Sequence, residues 1–540
     1  MAATYEDRPS EAAGQPAPTD RRRWLVLGVM SVGTLLTFLD DTVVNTALPR
    51  ISVALHASTS GLQWVVDAYV LVLAGLLLLS GSIGDRYGRK RVMTVGLVAF
   101  GAAAIGASRS TSIGELTMMR AFQGLGAALI LPATLSIITN VFPREERARA
   151  IAVWTAIGGL GIGLGPVLGG YLVDAASWHA VFLLFVPLVA VGLVGMLAVP
   201  ESRDERRIGL DVPGAILGTA GLTAVVYGII RGGEAGWGNR SGLVSFGAAA
   251  VLLVAFAAVE ARSATPLLPL RFFAHRDFTG AVLVIGIVLF AMFVTFFFLT
   301  QLFQLVQHRS ALAAGLLIVP ASVAVIIASG VAGKLIHTVG PRVLAVAMTA
   351  GMLIGLAILT QTTESTSALQ IVAALAIFGF GAGLALPALT DTVMAAVPER
   401  DAGVGSAVND VSRQLGGALG VAVIGSFVSN AYRSNLHRAL RGTIGDNVVN
   451  RAASSIGVAK RTAFSLPPNI AGTLTHAANR AFVSAITRGF EVSIAVTALA
   501  FVVAMTMVPR RMRATQFEAD RDATAPAPEL EGDVLGLDPA

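Results

Sequence analysis

Two stretches, GLGAALILP at residues 124–132 and GFGAGLALP at residues 379–387, share the same residue at six of nine positions. A proline follows each copy at the same distance, at Pro143 and Pro398, so the copies lie 255 residues apart throughout. This repeat predicts that two halves of the chain share one fold. Parallel repeats are typical of transporters, whose substrate site lies between the halves near the membrane midplane.

The composition is that of a membrane protein. The chain has 540 residues, of which 54% are hydrophobic and 13% are charged, whereas about 25% are charged in an average soluble protein. Fourteen apolar stretches approach or exceed the roughly 20 residues that a helix needs to cross a bilayer. The repeat maps the fourth stretch onto the twelfth, so we expect an all-α polytopic protein of two six-helix bundles with two helices inserted between them.

The predicted boundaries follow from these stretches. They are a tail (1–23), an N-terminal six-helix bundle (24–199), two inserted helices with linkers (200–277), a C-terminal six-helix bundle (278–508) that includes a long outer loop (430–482), and a second tail (509–540).

The distribution of charge and the absence of cysteine indicate the orientation of the chain in the membrane and the kinds of site that it can form. Lys and Arg are concentrated in the two tails and in alternate short loops, which predicts that both termini are cytoplasmic. The net positive charge is therefore explained by membrane orientation, and no nucleic-acid partner is expected. Cysteine is absent, which excludes disulfides and thiolate metal sites.

The first span ends in LDDTVVNTALP, residues 39–49, with two adjacent aspartates. A carboxylate near the bilayer centre costs roughly 2.5–3.5 kcal/mol on insertion scales, so such residues are functional candidates by default. Adjacent residues on a helix diverge by about 100°. We therefore expect one of Asp40 and Asp41 to face a central cavity and the other to face a neighbouring helix or Asn45.

Two further charged residues lie in the same predicted outer half of the membrane, Asp67 in the second span and Arg120 in the fourth. Arginine keeps its proton and needs a counter-charge. Either Asp40 or Asp41 could pair with Arg120 when ionised and take up a proton when that pairing breaks. All four residues are candidates for proton coupling.

The turn between the second and third spans reads GSIGDRYGRKR, residues 81–91. Glycine permits a tight turn, and a carboxylate there can meet a basic neighbour or the positive end of a helix. Such contacts would hold the halves closed on the cytoplasmic side, although the basic residues would serve equally as a topology signal alone. The candidate gating residues are Gly81, Asp85, Arg86, Gly88 and Arg89.

The fifth span contains GIGLGPVLGG, residues 161–170. Glycines four residues apart let helices approach closely, and proline removes a backbone hydrogen bond and permits a bend. Ordinary helix packing is the alternative reading. The residues concerned are Gly161, Gly165, Pro166, Gly169 and Gly170.

Aromatic residues in the ninth span, FAMFVTFFFLTQLFQ, could line an apolar pocket for flat organic molecules, although such stripes more often face lipid or pack internally. Asp391 of the twelfth span replaces Ser136 of the aligned repeat. Asp410 and Arg413, three residues apart in the thirteenth span, are expected to form a structural ion pair. The candidate cavity residues are Asn45, Gln123, Phe293, Phe297, Gln301 and Asp391.

Over roughly residues 24–429, these motifs in this order resemble the major facilitator superfamily, specifically its fourteen-span drug:proton antiporters. The family's first-span signature is similar to residues 39–49, with Asp40 at its aspartate and Asp41 in a variable slot. RAFQG, residues 120–124, resembles the fourth-span motif tied to proton coupling. The resemblance implies alternating access in a bacterial plasma membrane, with protons entering and drug-like compounds leaving, and no cofactor besides the proton gradient.

Other functions remain open. A dedicated exporter of one endogenous metabolite or antibiotic would have the same architecture. A membrane receptor or a membrane-embedded enzyme is less expected, because neither explains a parallel repeat with acidic and basic groups buried in several helices. A channel is also less expected than an exporter, but it stays open until saturable exchange of substrate for protons is distinguished from simple conductance. We find no metal cluster or nucleophile set typical of an enzyme and no GxxxxGK[ST] phosphate loop. The expected partners are a small drug-like molecule, protons and the lipid bilayer.

Overall fold

A computed structural model describes residues 20–203, 210–263, 266–398 and 402–511 of the chain. All regular secondary structure in these residues is helical, and fourteen helical stretches are long and apolar enough to cross a membrane. The prediction of an all-α polytopic protein with fourteen spans is confirmed. Most of each predicted tail, residues 1–19 and 512–540, lies outside the described residues.

The helices are numbered in chain order. They are α1 (Asp20–Ala54), α2 (Thr59–Tyr87), α3 (Arg89–Ser108), α4 (Ile113–Val141), α5 (Arg144–Ala175), α6 (Trp178–Leu183), α7 (Phe185–Gly195), α8 (Val212–Ala235), α9 (Arg240–Arg262), a 3-10 turn (Leu270–Ala274), α10 (Arg276–Gln301), a π-helical turn (Leu302–Val306), α11 (Ala311–Val339), α12 (Pro341–Leu359), α13 (Ala368–Gly383), α14 (Leu386–Ala395), α15 (Ala402–Leu440), α16 (Asp446–Ala452), α17 (Ile456–Phe464) and α18 (Pro468–Met507).

We name the two ends of the molecule after residues that lie at them. The Arg89 end is where α3 begins, and the Ser58 end is where the Ser58 hydroxyl caps α2 by accepting the Gly61 N–H at 3.1 Å. Helices α1–α7 are called the first half, α8 and α9 the inserted helices, and α10–α18 the second half. Helix α1 runs from the Arg89 end to the Ser58 end.

The sequence repeat marks equivalent packing in the two halves. A Cβ at Gly124 of α4 would overlap the Tyr69 carbonyl of α2, and a Cβ at Gly379 of α13 would overlap the Ala321 carbonyl of α11. The next glycine of each copy lies equally close to the backbone of α3 or α12. Small residues allow this close approach of backbones. The two halves therefore repeat the same three-helix contact.

The glycines of α5 pack this helix against α1. Gly161 lies against the backbone of α1 near Leu35, and a Cβ on Gly165 would overlap the Thr42 hydroxyl. A Cβ on Gly169 would likewise overlap the Thr46 hydroxyl. The glycine stripe thus brings the two helices into backbone contact over about three turns.

Pro166 lacks the N–H that would otherwise bond the Ile162 carbonyl one turn earlier. The Thr42 hydroxyl donates to that carbonyl instead, at 3.2 Å. Gly170 faces the other way, and a Cβ there would lie 2.5 Å from the Ala311 carbonyl of α11. Helix α5 is therefore held between α1 of its own half and α11 of the second half.

The predicted outer loop, residues 430–482, is mostly helical in the structure. Helix α15 continues to Leu440, α16 and α17 follow, and α18 begins at Pro468. Helices of 39 and 40 residues are about 60 Å long, roughly twice the hydrocarbon thickness. Hydropathy detects only the apolar part of each helix. The polar continuations pack on each other, with the Tyr432 and Phe482 rings 6.3 Å apart.

Gly165→Ala is expected to lower the stability of the purified protein, since its new methyl group would overlap the Thr42 hydroxyl and overpacking costs about 1–3 kcal/mol. Gly159→Ala is the matched control, because a Cβ at Gly159 meets nothing within 4 Å. The measurement is the midpoint of thermal unfolding in one detergent. An equal or larger loss for Gly159→Ala would contradict the packing argument.

Candidate functional site

A buried ion pair joins α1 to α4. Both carboxylate oxygens of Asp40 accept from Arg120 Nη1, at 2.8 and 2.6 Å. The Asp40 and Arg120 side chains are 0% and 2% exposed. Arg120 also donates from Nε to the Val65 carbonyl at 3.0 Å and from Nη1 to Gln123 Oε1 at 3.2 Å. Of the two adjacent aspartates, Asp40 is the one that pairs with Arg120.

Tyr69 of α2 completes the surroundings of this pair. The guanidinium carbon of Arg120 lies 4.3 Å from the centre of the Tyr69 ring, a cation–π contact that is strongest when desolvated. The Tyr69 hydroxyl donates to the Thr37 carbonyl of α1 at 3.4 Å. Three helices therefore hold Arg120. The sequence analysis missed Tyr69, because nothing in the sequence shows what a buried ring faces.

Asp67 is not part of the ion pair. Its side chain is fully buried, and neither carboxylate oxygen has a hydrogen-bond partner among the described residues. Gln63, one turn earlier on α2, donates to the Val421 and Ala422 carbonyls of α15. Residues one turn apart share a helix face, so Asp67 lies on the face of α2 turned towards the second half. Its role in proton coupling stays a prediction.

Asp41 faces a cavity between the halves. Asp41 Oδ2 accepts from Gln414 Nε2 of α15 at 3.4 Å. Asn45 donates to the backbone carbonyl of Asp41, not to its carboxylate. The residues that line this central cavity are Phe38, Asp41, Thr42, Asn45, Ile162, Leu289, Met292, Phe293, Phe296, Arg413 and Gln414.

Two of the six candidate cavity residues, Asn45 and Phe293, line the central cavity. Gln123, Phe297, Gln301 and Asp391 do not. Gln123 instead binds Arg120, and Asp391 is exposed on α14.

The orientation of α10 about its own axis explains why Phe297 and Gln301 do not line the central cavity. Leu289, Met292, Phe293 and Phe296 form the cavity face of this helix with the spacing of one helical stripe. The Phe297 ring lies beside that stripe and packs on Phe298, with centroids 4.9 Å apart. Gln301 Nε2 donates to the Phe297 carbonyl of its own helix.

The expected ion pair between Asp410 and Arg413 is not among the ion pairs of the described residues. Arg413 instead lines the central cavity, where its charge acts on both Asp41 and Asp410. Sequence reasoning also missed Gln414. In the sequence, Gln414 is recognisable only as a polar residue beside Arg413 in an apolar span, and the direction of its side chain depends on how α15 packs.

The turn between α2 and α3 is organised within the first half. Arg89 donates to Asp85 at 2.9 Å and to the Ser136 carbonyl of α4 at 3.3 Å. Gly88 has a φ of 106°, which favours glycine, and a Cβ there would lie 2.7 Å from a Glu201 carboxylate oxygen.

Arg86 and Gly81, the other two candidate gating residues, make longer contacts. The guanidinium of Arg86 lies 5.5 Å from the centre of the Tyr87 ring, and Gly81 approaches Pro132 of α4. These contacts also lie within the first half. The gating role of the motif stays a prediction.

Hydrogen bonds join the two halves at the Ser58 end. The Asp174 carboxylate of α5 accepts the N–H groups of Ala311 and Leu312, at 3.0 and 2.8 Å, where the positive end of α11 favours an anion. Gln304 Nε2 donates to the Thr46 carbonyl of α1 at 2.9 Å. The central cavity is therefore closed off from this end.

Helix α17 adds to this closure. The Ser455 hydroxyl donates to the Ala57 carbonyl at 2.9 Å, and Arg461 donates to the Val53 carbonyl at 2.9 Å. Both acceptors belong to the end of α1 or the turn that follows it. The segment between α15 and α18 thus contacts the first half directly.

A second cavity at the Ser58 end has a volume of about 360 Å³ and a basic lining that includes Arg50, His308 and Arg309. Burial lowers the pKa of His308, and the positive charge of Lys460 lowers it further. The lowered pKa favours the neutral form of His308, so Arg50 and Arg309 supply the positive charge where the halves meet.

Arg120→Gln is expected to destabilise the protein by about 3–5 kcal/mol, because it leaves the Asp40 carboxylate buried without a counter-charge. Adding Asp40→Asn should recover part of this loss. Unfolding of the wild type, both single variants and the double variant gives the coupling energy. Strictly additive effects would show that the two side chains do not stabilise each other.

Comparison with known proteins agrees with this architecture. Residues 30–421 match the family model of the Major Facilitator Superfamily. The chain is 35% identical to the puromycin resistance protein pur8 of Streptomyces alboniger, over 78% of this chain and 85% of that protein. It is 32% identical to the multidrug efflux pump LfrA of Mycolicibacterium smegmatis, over 87% of this chain and 93% of that protein.

A solved structure shares the fold. It is a bacterial homolog of the human lysosomal transporter Spinster in an inward-facing and occupied conformation, with a TM-score of 0.62 and 17% identity, covering 91% of this chain and 98% of that one. The predicted class, a transporter and not an enzyme, agrees with the family match. The chain belongs to the Major Facilitator Superfamily.

Proposed function

We propose that the protein is a proton-coupled antiporter that exports hydrophobic compounds, cationic ones among them, across the bacterial plasma membrane by alternating access. The names of the two relatives, which refer to puromycin resistance and multidrug efflux, support export of drug-like molecules. The central cavity between the halves, with its phenylalanine side chains, suits such molecules. The energy source is the proton gradient.

The observation that carries the proton coupling is the buried pair of Asp40 and Arg120. Separating two buried charges leaves each of them uncompensated, which is strongly unfavourable. A proton on Asp40 would remove one of the charges and so release Arg120. Because the pair links α1 to α4 beside the cavity, proton uptake would change how the cavity-forming helix α1 is held.

The closed Ser58 end supports alternating access. The concentration of Lys and Arg in the tails and alternate loops supports an orientation in which the Arg89 end and both termini are cytoplasmic. The described conformation would then be closed towards the outside. Opening to the outside requires the contacts of Asp174, Gln304 and α17 with the opposite half to break.

A second candidate is an exporter dedicated to one antibiotic. It is favoured by the name of the first relative, which refers to resistance to puromycin alone. Resistance of a deletion strain distinguishes the two candidates. Hypersensitivity to one compound supports the dedicated exporter, and hypersensitivity to many unrelated compounds supports the broader pump.

Asp40→Asn is expected to abolish substrate-driven proton movement, because an amide can neither bind a proton nor balance the Arg120 charge. In everted membrane vesicles with an imposed proton gradient, puromycin or tetraphenylphosphonium should dissipate the gradient through the wild-type protein and not through the Asp40→Asn variant. Asp446→Asn, an exposed position on α16, is the matched control. Unchanged gradient dissipation in Asp40→Asn would reject this role, and non-saturable conductance would indicate a channel.

A further inference from the structure

Two residues that line the central cavity each carry a buried acceptor atom without a donor among the described residues. Neither Asp41 Oδ1 nor Gln414 Oε1 accepts a hydrogen bond from any part of the chain that the structure describes. Gln414 Nε2 donates to the other Asp41 oxygen. A carboxylate only accepts hydrogen bonds when ionised, so this contact orients the amide and leaves its oxygen unsatisfied. Buried acceptors without donors are costly, so a bound molecule that supplied the donors would be stabilised at this place.

The two unsatisfied oxygens come from different halves of the protein. Asp41 belongs to α1 and Gln414 to α15, and both line the central cavity. Asp40 is not available for the same task, because Arg120 occupies both of its oxygens. A group that donates to Asp41 and Gln414 together would therefore bridge the halves without touching the buried ion pair.

The charge around these oxygens favours a cation. The charges of Asp40, Arg120 and Arg413 act on Asp41, and the charge of Arg413 also acts on Asp410. When these five side chains are ionised, three negative charges face two positive ones, so the local sum is negative. A ligand with both positive charge and N–H donors satisfies the electrostatics and the hydrogen bonding at once.

The other side chains that line the central cavity suit the aromatic part of a ligand. Phe38, Phe293 and Phe296 contribute rings, and Met292 contributes a polarizable thioether. Aromatic faces attract cations as well as other rings, and methionine adapts to varied apolar shapes. The acceptors thus lie among groups that would hold a flat apolar scaffold.

We propose that Asp41 and Gln414 form a split acceptor site for the N–H groups of a protonated amine carried on an aromatic scaffold. This inference rests on the proposed export function and narrows its substrates. A primary ammonium group has N–H bonds for both acceptors, whereas a quaternary ammonium group has the charge but no N–H. Asp41 then selects the substrate, while Asp40 and Arg120 couple transport to protons.

The test compares two ligands with the same ring and the same charge, one with three N–H bonds on its nitrogen and the other with three N-methyl groups in their place. Binding of 1-naphthylmethylamine and of its trimethylammonium counterpart to the purified full-length protein is measured by calorimetry. The amine should bind about tenfold more tightly or better, as expected for hydrogen bonds that involve a charged group. Equal affinity for the two ligands, or no binding of the amine, would overturn the proposal.

Variants separate the contribution of hydrogen bonding from that of charge. Gln414→Leu should weaken amine binding about 3- to 10-fold and leave the quaternary ligand nearly unaffected. Asp41→Asn should weaken both ligands, because it removes the charge as well as an acceptor. Gln370→Leu, on an exposed face of α13, is the matched control. Gln414→Met serves as the second variant if Gln414→Leu does not fold.

The outcomes distinguish this inference from the proposed function. An equal loss for both ligands in Gln414→Leu, or loss of proton coupling for every substrate in Asp41→Asn, would overturn the role of the split site. Wild-type transport that is indifferent to the proton gradient would instead reject the antiport mechanism. In that case the difference in affinity between the two ligands would still hold.

Discussion

The buried contact between Asp40 and Arg120 constrains the whole first half of the protein. An arginine in this position cannot lose its charge, and it lies in a protein interior where an unpaired charge is very costly. The Arg120 guanidinium is stabilised by the Asp40 carboxylate of α1, by the Val65 carbonyl and the Tyr69 ring of α2, and by the side-chain amide oxygen of Gln123 in α4. These three helices therefore hold their positions as one unit around the guanidinium group. In the coupling that we propose, the same constraint would make the pair sensitive to a proton, because neutralisation of Asp40 would change the balance.

The adjacent aspartates have different surroundings because of helix geometry. A rotation of about 100° per residue turns Asp40 towards Arg120 and Asp41 towards the central cavity. One carboxylate is enclosed by its own half, and the other meets a side chain of the opposite half. The separate roles that we propose for these two neighbours in sequence, coupling for Asp40 and binding for Asp41, rest on this difference in surroundings.

Helix α5 connects this site to the interface between the halves. Its glycines bring it against α1, and the carbonyl freed by Pro166 receives the hydroxyl of Thr42, which also lines the cavity. On its other side, Gly170 and Asp174 meet the beginning of α11. Helix α1 is therefore in direct contact with a helix that contacts both halves. This continuity is the physical basis on which movement at the Ser58 end and events in the cavity can be linked.

The sequence by itself determined the fourteen spans, the repeat and the pairing of Arg120 with one of two aspartates. These features follow from segment length, hydropathy and the cost of buried charge, all of which are local properties of the chain. Only the tertiary structure decided which aspartate pairs, since that depends on the rotation of α1. It also decided that Phe296 and Gln414 line the cavity, that Phe297 does not, and that α15 continues through the polar residues 430–440. Each of these outcomes depends on contacts between helices far apart in sequence, and hydropathy and motif spacing carry no information about them.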